Sequence, residues 1–287
     1  MNIRTAVAVS AFSLLGACAS APAPQLVDIA PLQQVTHTAT PEILMARGYY
    51  DKAAIAYRTA LVTKSDDFSS RYGLAEAERM SGKFDEAWAD YYQLVDVAEW
   101  KARAVEGLGR VALSRGDRAT ALEKFNAVVA DNPDAWQSWL AIAQIQDLDR
   151  QWGKADESYA LALAASKEHA VVYNNHGVSM MARGEPVAAV ALFRAAVAAD
   201  SSMAHASTNL DLALAASGEP AVLDIANGDA RDRARKLNNY GYVAMLQGRD
   251  EDAKRYYEAA VKEHPSFYAL AFNNLKSLQS TEGRPQQ

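Results

Sequence analysis

Residues 138–166, SWLAIAQIQDLDRQWGKADESYALALAAS, hold one clear copy of a pattern that recurs along the chain. In this copy a small residue, Ala143, stands twelve positions before Ala155, and an aromatic residue, Tyr159, stands four positions after it. Alanines recur at an unbroken interval of 34 residues, at Ala53, Ala87, Ala121, Ala155 and Ala189. Because this interval is typical of stacked helix–turn–helix repeats, the sequence predicts an all-α protein built of helix pairs.

Three further positions keep the same interval around the repeated alanine. Four residues after it stands an aromatic ring: Tyr57, Tyr91, Phe125, Tyr159 and Phe193. Twelve residues before it, from the second unit on, stands a small residue: Ala75, Gly109, Ala143 and Gly177. Five residues before it four of the five units have a glycine, the fourth unit being the exception: Gly48, Gly82, Gly116, Arg150 and Gly184. We expect the small residues to let two antiparallel helices approach closely and the ring to fill the space between successive hairpins. The glycine should end the first helix in a left-handed conformation.

These residues resemble the tetratricopeptide repeat (TPR), most clearly in residues 138–166 and in residues 237–265, LNNYGYVAMLQGRDEDAKRYYEAAVKEHP. The resemblance implies a right-handed solenoid of antiparallel helix pairs with a capping helix at its C-terminal end. In such a protein the function is expected to lie in surfaces that bind other proteins, rather than in a catalytic pocket.

The first five units are predicted to occupy residues 41–201. The first unit is shortened, because Pro41 falls where a full-length first helix would be in mid-course. We expect Thr40 to cap a two-turn helix that has Pro41 at its first position.

The last clear unit, residues 234–267, is centred on Ala253 and is shifted by four residues from the 34-residue frame. A degenerate unit is therefore expected at residues 202–233, with a good first helix and a short second helix. The sequence leaves open whether the irregular stretch near 219–234 is a hinge or a packed adaptation. Residues 268–287 are expected to form the capping helix and a tail, which would close the exposed end of the stack.

The N-terminus, MNIRTAVAVSAFSLLGACAS, has one positive charge at Arg4 and then an apolar run too short to span a membrane as a mature helix. Its residues 15–18, Leu-Gly-Ala-Cys, match the lipobox of bacterial lipoproteins. The resemblance implies a signal peptide at residues 1–17, cleavage before Cys18, a diacylglycerol on the sulfur and an acyl chain such as palmitate on the new amino group. The alternative is an ordinary signal sequence with a buried cysteine.

The residues after Cys18 predict where the lipid would hold the chain. The next residue is Ala19, whereas in bacterial lipoproteins an aspartate there tends to retain the protein at the inner membrane. The resemblance therefore favours the periplasmic face of the outer membrane. Residues 18–40 are rich in proline and are expected to form a semi-extended tether between lipid and repeats.

Composition excludes several classes of function. The net charge is −6 and no basic run occurs, which argues against nucleic acid as a partner and against electrostatic binding to anionic lipid. The five histidines show no metal-binding spacing, and no nucleophile motif is found. We therefore expect no catalytic residue, no cofactor and no metal ion. An enzyme whose activity needs a partner domain is the alternative from a different class.

Asparagines form the one surface pattern that goes beyond packing. They recur fourteen residues before the second-helix alanine or its equivalent, and at the matching step of the last helix: Asn175, Asn209, Asn239 and Asn273. Three neighbours extend the row: Asn174, Asn238 and Asn274. Earlier units hold small residues at the same position: Gly73, Gly107 and Ala141. In TPR proteins that bind extended peptides, asparagines at this point of the first helix line the concave groove and hold the peptide backbone. The resemblance thus implies a peptide groove, and the alternative is helix capping or hydrogen bonding between repeats.

Apolar residues one turn further on are expected to select the side chains of the bound peptide: Val178, Met181, Leu212, Tyr242 and Met245. The asparagines themselves would select an extended backbone rather than a sequence, because an amide both donates and accepts hydrogen bonds.

A narrower resemblance covers residues 135–262. It rests on VVYNNHGVSMMARGEPVAAVALFRAAVAAD, followed by HASTNLDLALAASGE, a break, and RKLNNYGYVAMLQGRDEDA. Together these stretches are similar to the TadD lipoprotein family of the Flp (tight adherence) pilus system. The resemblance implies a pilotin-like role, in which the protein supports localisation or assembly of the outer-membrane secretin that exports the pilus. The alternative is a general envelope scaffold that recruits peptidoglycan hydrolases or outer-membrane assembly components. In both cases the expected partners are envelope proteins and the membrane that holds the lipid.

Overall fold

The computed structural model describes residues 39–218, 228–266 and 268–282 of the chain. These residues form fourteen α-helices, and no strand occurs among them. The helices belong to two compact units, an N-terminal unit within residues 23–166 and a C-terminal unit within residues 167–287. The predicted signal peptide, Cys18 and most of the tether lie outside the described residues.

The N-terminal unit contains eight helices in four antiparallel pairs, each helix packing against the next along the chain. In chain order they are α1 Pro41–Ala46, α2 Tyr50–Thr63, α3 Phe68–Met80, α4 Phe84–Tyr92, α5 Lys101–Ser114, α6 Arg118–Asp131, α7 Trp136–Leu148 and α8 Trp152–Ala165. The first helices of neighbouring pairs also touch, α1 against α3 and α3 against α5.

The C-terminal unit contains six described helices. They are α9 His169–Arg183, α10 Pro186–Ala199, α11 Ala204–Ser217, α12 Ala230–Leu246, α13 Asp250–Glu263 and α14 Ala269–Glu282. Helix α11 is the predicted first helix of the degenerate unit and packs against α12, while the second helix of that unit was predicted in residues that are not described. Helix α14 packs against α13 at the place predicted for a capping helix.

The repeated alanine lies at the centre of each helix pair. Ala121 and Ala155 are fully buried, and the ring of Phe125, one turn after Ala121, is fully buried as well. A Cβ atom built on Gly109 would lie 2.9 Å from this ring, closer than real Cβ contacts allow. A small residue is therefore needed opposite the ring within the pair, which agrees with the close approach of the two helices that the sequence predicts.

Each ring also limits the size of the residue at a second repeat position, which lies in the next helix pair. A Cβ atom built on Gly73 would lie 2.4 Å from the ring of Tyr57, which belongs to the preceding helix pair. Gly107 stands in the same relation to Tyr91, again at 2.4 Å. The position fourteen residues before the alanine is thus, in the N-terminal unit, a close contact between successive pairs.

The turns inside the pairs have the predicted left-handed residue. Gly82 has a φ of +80°, and the corresponding glycines of the other regular units also have positive φ. Arg150, the one exception in sequence, has a φ of +56° and adopts the left-handed conformation without being a glycine. Its side chain makes this conformation costly, by about 1–2 kcal/mol.

One local prediction needs correction. Thr40 occupies the N-cap position before Pro41, but its side chain donates or accepts no capping hydrogen bond to the backbone of α1. The hydroxyl instead hydrogen-bonds the carboxylate of Glu42 and lowers the pKa of that carboxyl. Helix α4 is shorter than its counterparts in the other regular pairs: it ends at Tyr92, and residues 93–100 form turns.

Within the described ranges, none of the helices combines the length and the apolar character that crossing a bilayer requires.

Candidate interaction site

The asparagines of the C-terminal unit link first helices of successive pairs. The Nδ2 of Asn209 on α11 donates to the Oδ1 of Asn174 on α9 over 2.9 Å. The Nδ2 of Asn274 on α14 donates to the Oδ1 of Asn238 on α12 over 3.0 Å. Asn174 and Asn238 are 1% and 4% exposed, so the acceptor of each amide pair lies inside the stack. These bonds run along the stack, as expected from the alternative that the asparagines form hydrogen bonds between repeats.

The other members of the row differ from one another. Asn175 is buried, and its Nδ2 donates to the carbonyl oxygen of Val171 in its own helix over 2.8 Å. Asn239 is half-buried, and its buried Nδ2 has no hydrogen-bond partner among the described residues. Asn273 on α14 is exposed. The amide of Asn239 is therefore the one in this row that combines burial with an unused donor.

The repeat position of the row gives a physical reason for this variety. In the N-terminal unit the same position holds Gly73 and Gly107, which touch the ring of the preceding pair. A position at a contact between pairs has little open space, so an asparagine there tends to be at least partly buried. A peptide-groove role for the whole row stays a prediction.

The five apolar residues predicted to select a peptide's side chains divide by burial. Met181 and Leu212 are buried in a core cluster with Phe193. Val178 and Tyr242 are half-buried and pack against the same cluster, and Met245 is half-buried against the cluster around Tyr257. Val178, Tyr242 and Met245 can therefore offer apolar surface to a partner. The two buried residues pack in the core and offer none.

A charged pair that the sequence reasoning missed joins α11 to α12. Asp211 occupies the position of the degenerate unit that holds alanine or glycine in the regular units, and its side chain is 4% exposed. The guanidinium Nη1 of Arg235 binds its carboxylate and also reaches the hydroxyl of Thr208. An aspartate at a small-residue position is the signal that could have identified this pair.

A polar network on α3, α4 and α5 of the N-terminal unit has its centre at Glu76. Its carboxylate accepts hydrogen bonds from the hydroxyl of Tyr91 and from Nη2 of Arg79, the latter over 2.7 Å. Arg110 lies 3.7 Å away and also binds Glu106. Burial raises the pKa of Glu76, but the charge of Arg79 and the hydrogen bond from Tyr91 outweigh it, so the pKa lies below its ordinary value. The negative charges of Glu76 and Glu106 are balanced by the positive charges of Arg79 and Arg110, which indicates a structural role for the network.

The sequence carried a signal for this network as well. Glu76 and Arg110 stand 34 residues apart, at the same repeat position of neighbouring first helices. Opposite charges one repeat apart therefore face each other across the contact between α3 and α5.

The described residues do not bring three or more His, Cys, Asp or Glu side chains together in a way that could hold a metal ion.

This arrangement of alanine-centred helix pairs, with left-handed turns and small-residue contacts, is similar to that of tetratricopeptide-repeat proteins. Residues 42–102 and 107–170 match the family model of the tetratricopeptide repeat. Repeats of this family typically form non-catalytic scaffolds that bind other proteins. No curated protein matches the chain.

Solved structures similar to this chain are TPR proteins, at sequence identities that show the fold alone. A tetratricopeptide repeat protein from Parabacteroides merdae has a TM-score of 0.53 and 14% identity, over 83% of this chain and 96% of its own. The C-terminal part of a TPR protein from Cytophaga hutchinsonii has a TM-score of 0.54 and 15% identity, over 82% of this chain and 98% of its own. The Cut9–Hcn1 hetero-tetramer of the APC/C gives a TM-score of 0.58 and 13% identity, over 83% of this chain and 48% of the matched one.

Proposed function

We propose that this protein is a non-catalytic adaptor that binds an extended segment of another protein on helix α12 of its C-terminal unit. The observation that carries the proposal is the unused amide of Asn239. A buried donor without a partner costs about 1–3 kcal/mol, and a hydrogen bond to a partner's carbonyl oxygen would offset that cost.

The residues beside Asn239 suit the same ligand. Tyr242 and Met245 follow it at steps of three along α12, so the three side chains lie near one side of the helix. The amide would hold one carbonyl of an extended backbone, and the half-buried ring and thioether would pack against an apolar side chain next to it. Asn273, exposed on α14, offers a further amide.

The structure supplies a matched pair of variants for the test. In Asn239→Ala the unpaired buried donor is removed, so the melting temperature should not fall, while affinity for the partner falls about 2- to 10-fold. In Asn209→Ala the acceptor of Asn174 loses its donor inside the stack, so stability should fall by about 1–3 kcal/mol.

The partner for this test is first captured with the wild-type protein from detergent-solubilised envelopes and is then titrated against both variants. If folded Asn239→Ala retains wild-type affinity, α12 does not bind the partner through this amide and the asparagine row is structural.

We further propose that the chain is a lipoprotein held at the periplasmic side of the outer membrane through Cys18. Support comes from the sequence, the lipobox that ends at Cys18 and the Ala19 that follows it. Several acyl chains together anchor a protein firmly, whereas one alone anchors it only marginally. Cys18→Ser should therefore leave the repeats folded and release them from the outer-membrane fraction. Co-sedimentation of this variant with outer membranes, in cells that lack the binding partner, would contradict the assignment.

The finer proposal is that the adaptor serves assembly of the Flp pilus as a pilotin. It rests on the TadD-like residues between 135 and 262. Deletion of the gene should then deplete the assembled secretin from the outer membrane, and the Cys18→Ser variant should not restore it. Capture of peptidoglycan hydrolases or outer-membrane assembly components in place of the secretin would favour the general-scaffold alternative.

A further inference from the structure

Helix α3 carries a carboxyl group where a repeat protein ordinarily places apolar side chains. Glu78 is 1% exposed and lies between α2 and α4. Its Oε1 accepts a hydrogen bond from Nη2 of Arg58 on α2 over 2.5 Å. Its Oε2 is buried and receives no hydrogen bond from the described residues. Oε1 of Glu78 thus has a hydrogen-bond donor, whereas Oε2 has none among the described residues.

The group that faces Glu78 from α4 is a second carboxyl. Asp90 lies within hydrogen-bonding reach of Glu78, and its Oδ1 accepts from Nη1 of Arg71 on α3 over 3.0 Å. Two carboxylates have only acceptor atoms, so they can bond to each other only when one of them holds a proton. Asp90 is paired with an arginine, whereas Glu78 is the more deeply buried of the two and has the oxygen without a donor.

We propose that Glu78 and Asp90 form a proton-dependent joint inside the second helix pair, next to its contact with the first pair. With a proton on Glu78, its O–H donates to Asp90 and α3 is held to α4, while Arg58 holds α3 to α2. When the proton leaves to solvent, two like charges face each other in a buried site and the contact between α3 and α4 loosens. The charged groups at the joint are Arg58 from α2, Arg71 from α3 and Asp90 from α4.

The electrostatics of the site favour this behaviour near neutral pH. Burial, together with the charge of Asp90, raises the pKa of Glu78 to about 7 from its ordinary 4.5, against the opposing effect of Arg58. Between these two values the folded protein keeps a proton that the unfolded chain releases. The stability that the joint contributes is therefore present on the acid side of this range and is lost as the pH rises to about 7.

Glu78→Gln is the direct test, because glutamine has a donor for Asp90 at every pH and an acceptor for Arg58. The matched control is Glu86→Gln, an exposed glutamate on α4. On going from about pH 5 to about pH 8, the melting temperature of the wild-type full chain should fall on the order of 5 °C more than that of Glu78→Gln. The control should follow the wild type. Equal pH dependence in wild type and Glu78→Gln would overturn the proposal.

A second measurement keeps the test independent of stability. In the full chain labelled with carbon-13 at the glutamate carboxyls, the resonance assigned to Glu78 by its loss in Glu78→Gln should titrate with a midpoint near pH 7. Asp90→Asn removes the facing charge and should lower that midpoint by about one unit or more. A midpoint near the ordinary glutamate value, or one that Asp90→Asn leaves unchanged, would show that the two carboxyls do not share a proton.

Discussion

The contact between a glycine and the ring of the preceding helix pair can be tested with Gly107→Ala. The new Cβ would lie 2.4 Å from the ring of Tyr91, which is fully buried and whose hydroxyl is bound to Glu76. Because the ring cannot easily move away, overpacking should cost about 1–3 kcal/mol. Alanine in the interior of α5 returns about 0.5–1 kcal/mol of helix propensity. We therefore expect a net loss of about 1–2 kcal/mol.

Gly153→Ala is the matched control in the same unit. Gly153 lies in the first turn of α8, and no heavy atom of the described residues comes within 4 Å of a Cβ built there. With no steric cost, the alanine should stabilise the protein by up to about 0.5 kcal/mol. Thermal unfolding of the two variants should therefore move in opposite directions, by roughly 4–8 °C between them. A shift of both variants in the same direction would refute the proposed ring contact.

Three further substitutions test the rest of the packing. Ala155→Leu should destabilise the protein by about 1–3 kcal/mol, because it overpacks a fully buried contact. The exposed change Lys154→Gln should alter stability by no more than about 0.5 kcal/mol. Equal melting temperatures of the two variants would mean that the repeat phase is misassigned. Arg150→Gly relieves a left-handed residue at φ +56° and should stabilise by about 0.5–1 kcal/mol in chemical denaturation, and a destabilised variant would show that the turn is not strained. Arg235→Met should cost about 3 kcal/mol in the same assay because it leaves the buried Asp211 carboxylate without its cation, while Arg231→Met, which changes an exposed arginine of the same helix, should cost little.

The regular part of the fold could be predicted because the same packing contacts recur from one repeat to the next. The alanine at position 155, its small partner and its ring are set by local contacts that recur every 34 residues, so their spacing appears directly in the sequence. Even Arg150 follows the rule. It takes the left-handed conformation that its counterparts take as glycines, since the turn imposes the conformation whatever residue stands there.

One departure, the short helix α4, could not be predicted from spacing. The interval from Ala87 to Ala121 is regular, yet α4 ends at Tyr92. The segment after it contains Val95 and Val97, which favour a helix less than straight-chain residues do, and its Leu94 is fully buried in a turn. A repeat interval counts residues and does not record whether the helix between two alanines is complete.

The asparagine row shows a second limit of sequence reasoning. Its members share one repeat position, but the hydrogen bonds join neighbouring positions, Asn209 to Asn174 and Asn274 to Asn238. A comparison of the residues at one repeat position treats the four asparagines of the row as equivalent. Only the structure distinguishes the unused amide of Asn239 from the amides that hold the stack together.

The central claim is that a partner binds on α12, and site-specific photo-crosslinking in living cells tests it most directly. A photoreactive phenylalanine replaces Tyr242, which is half-buried beside Asn239, and in a control it replaces Val187, which is 66% exposed on α10. We expect a discrete crosslinked adduct to an envelope protein at position 242, weakened by Asn239→Ala, and no such adduct at position 187. A partner that crosslinks equally from both positions, or only from position 187, would contradict binding on this face of α12.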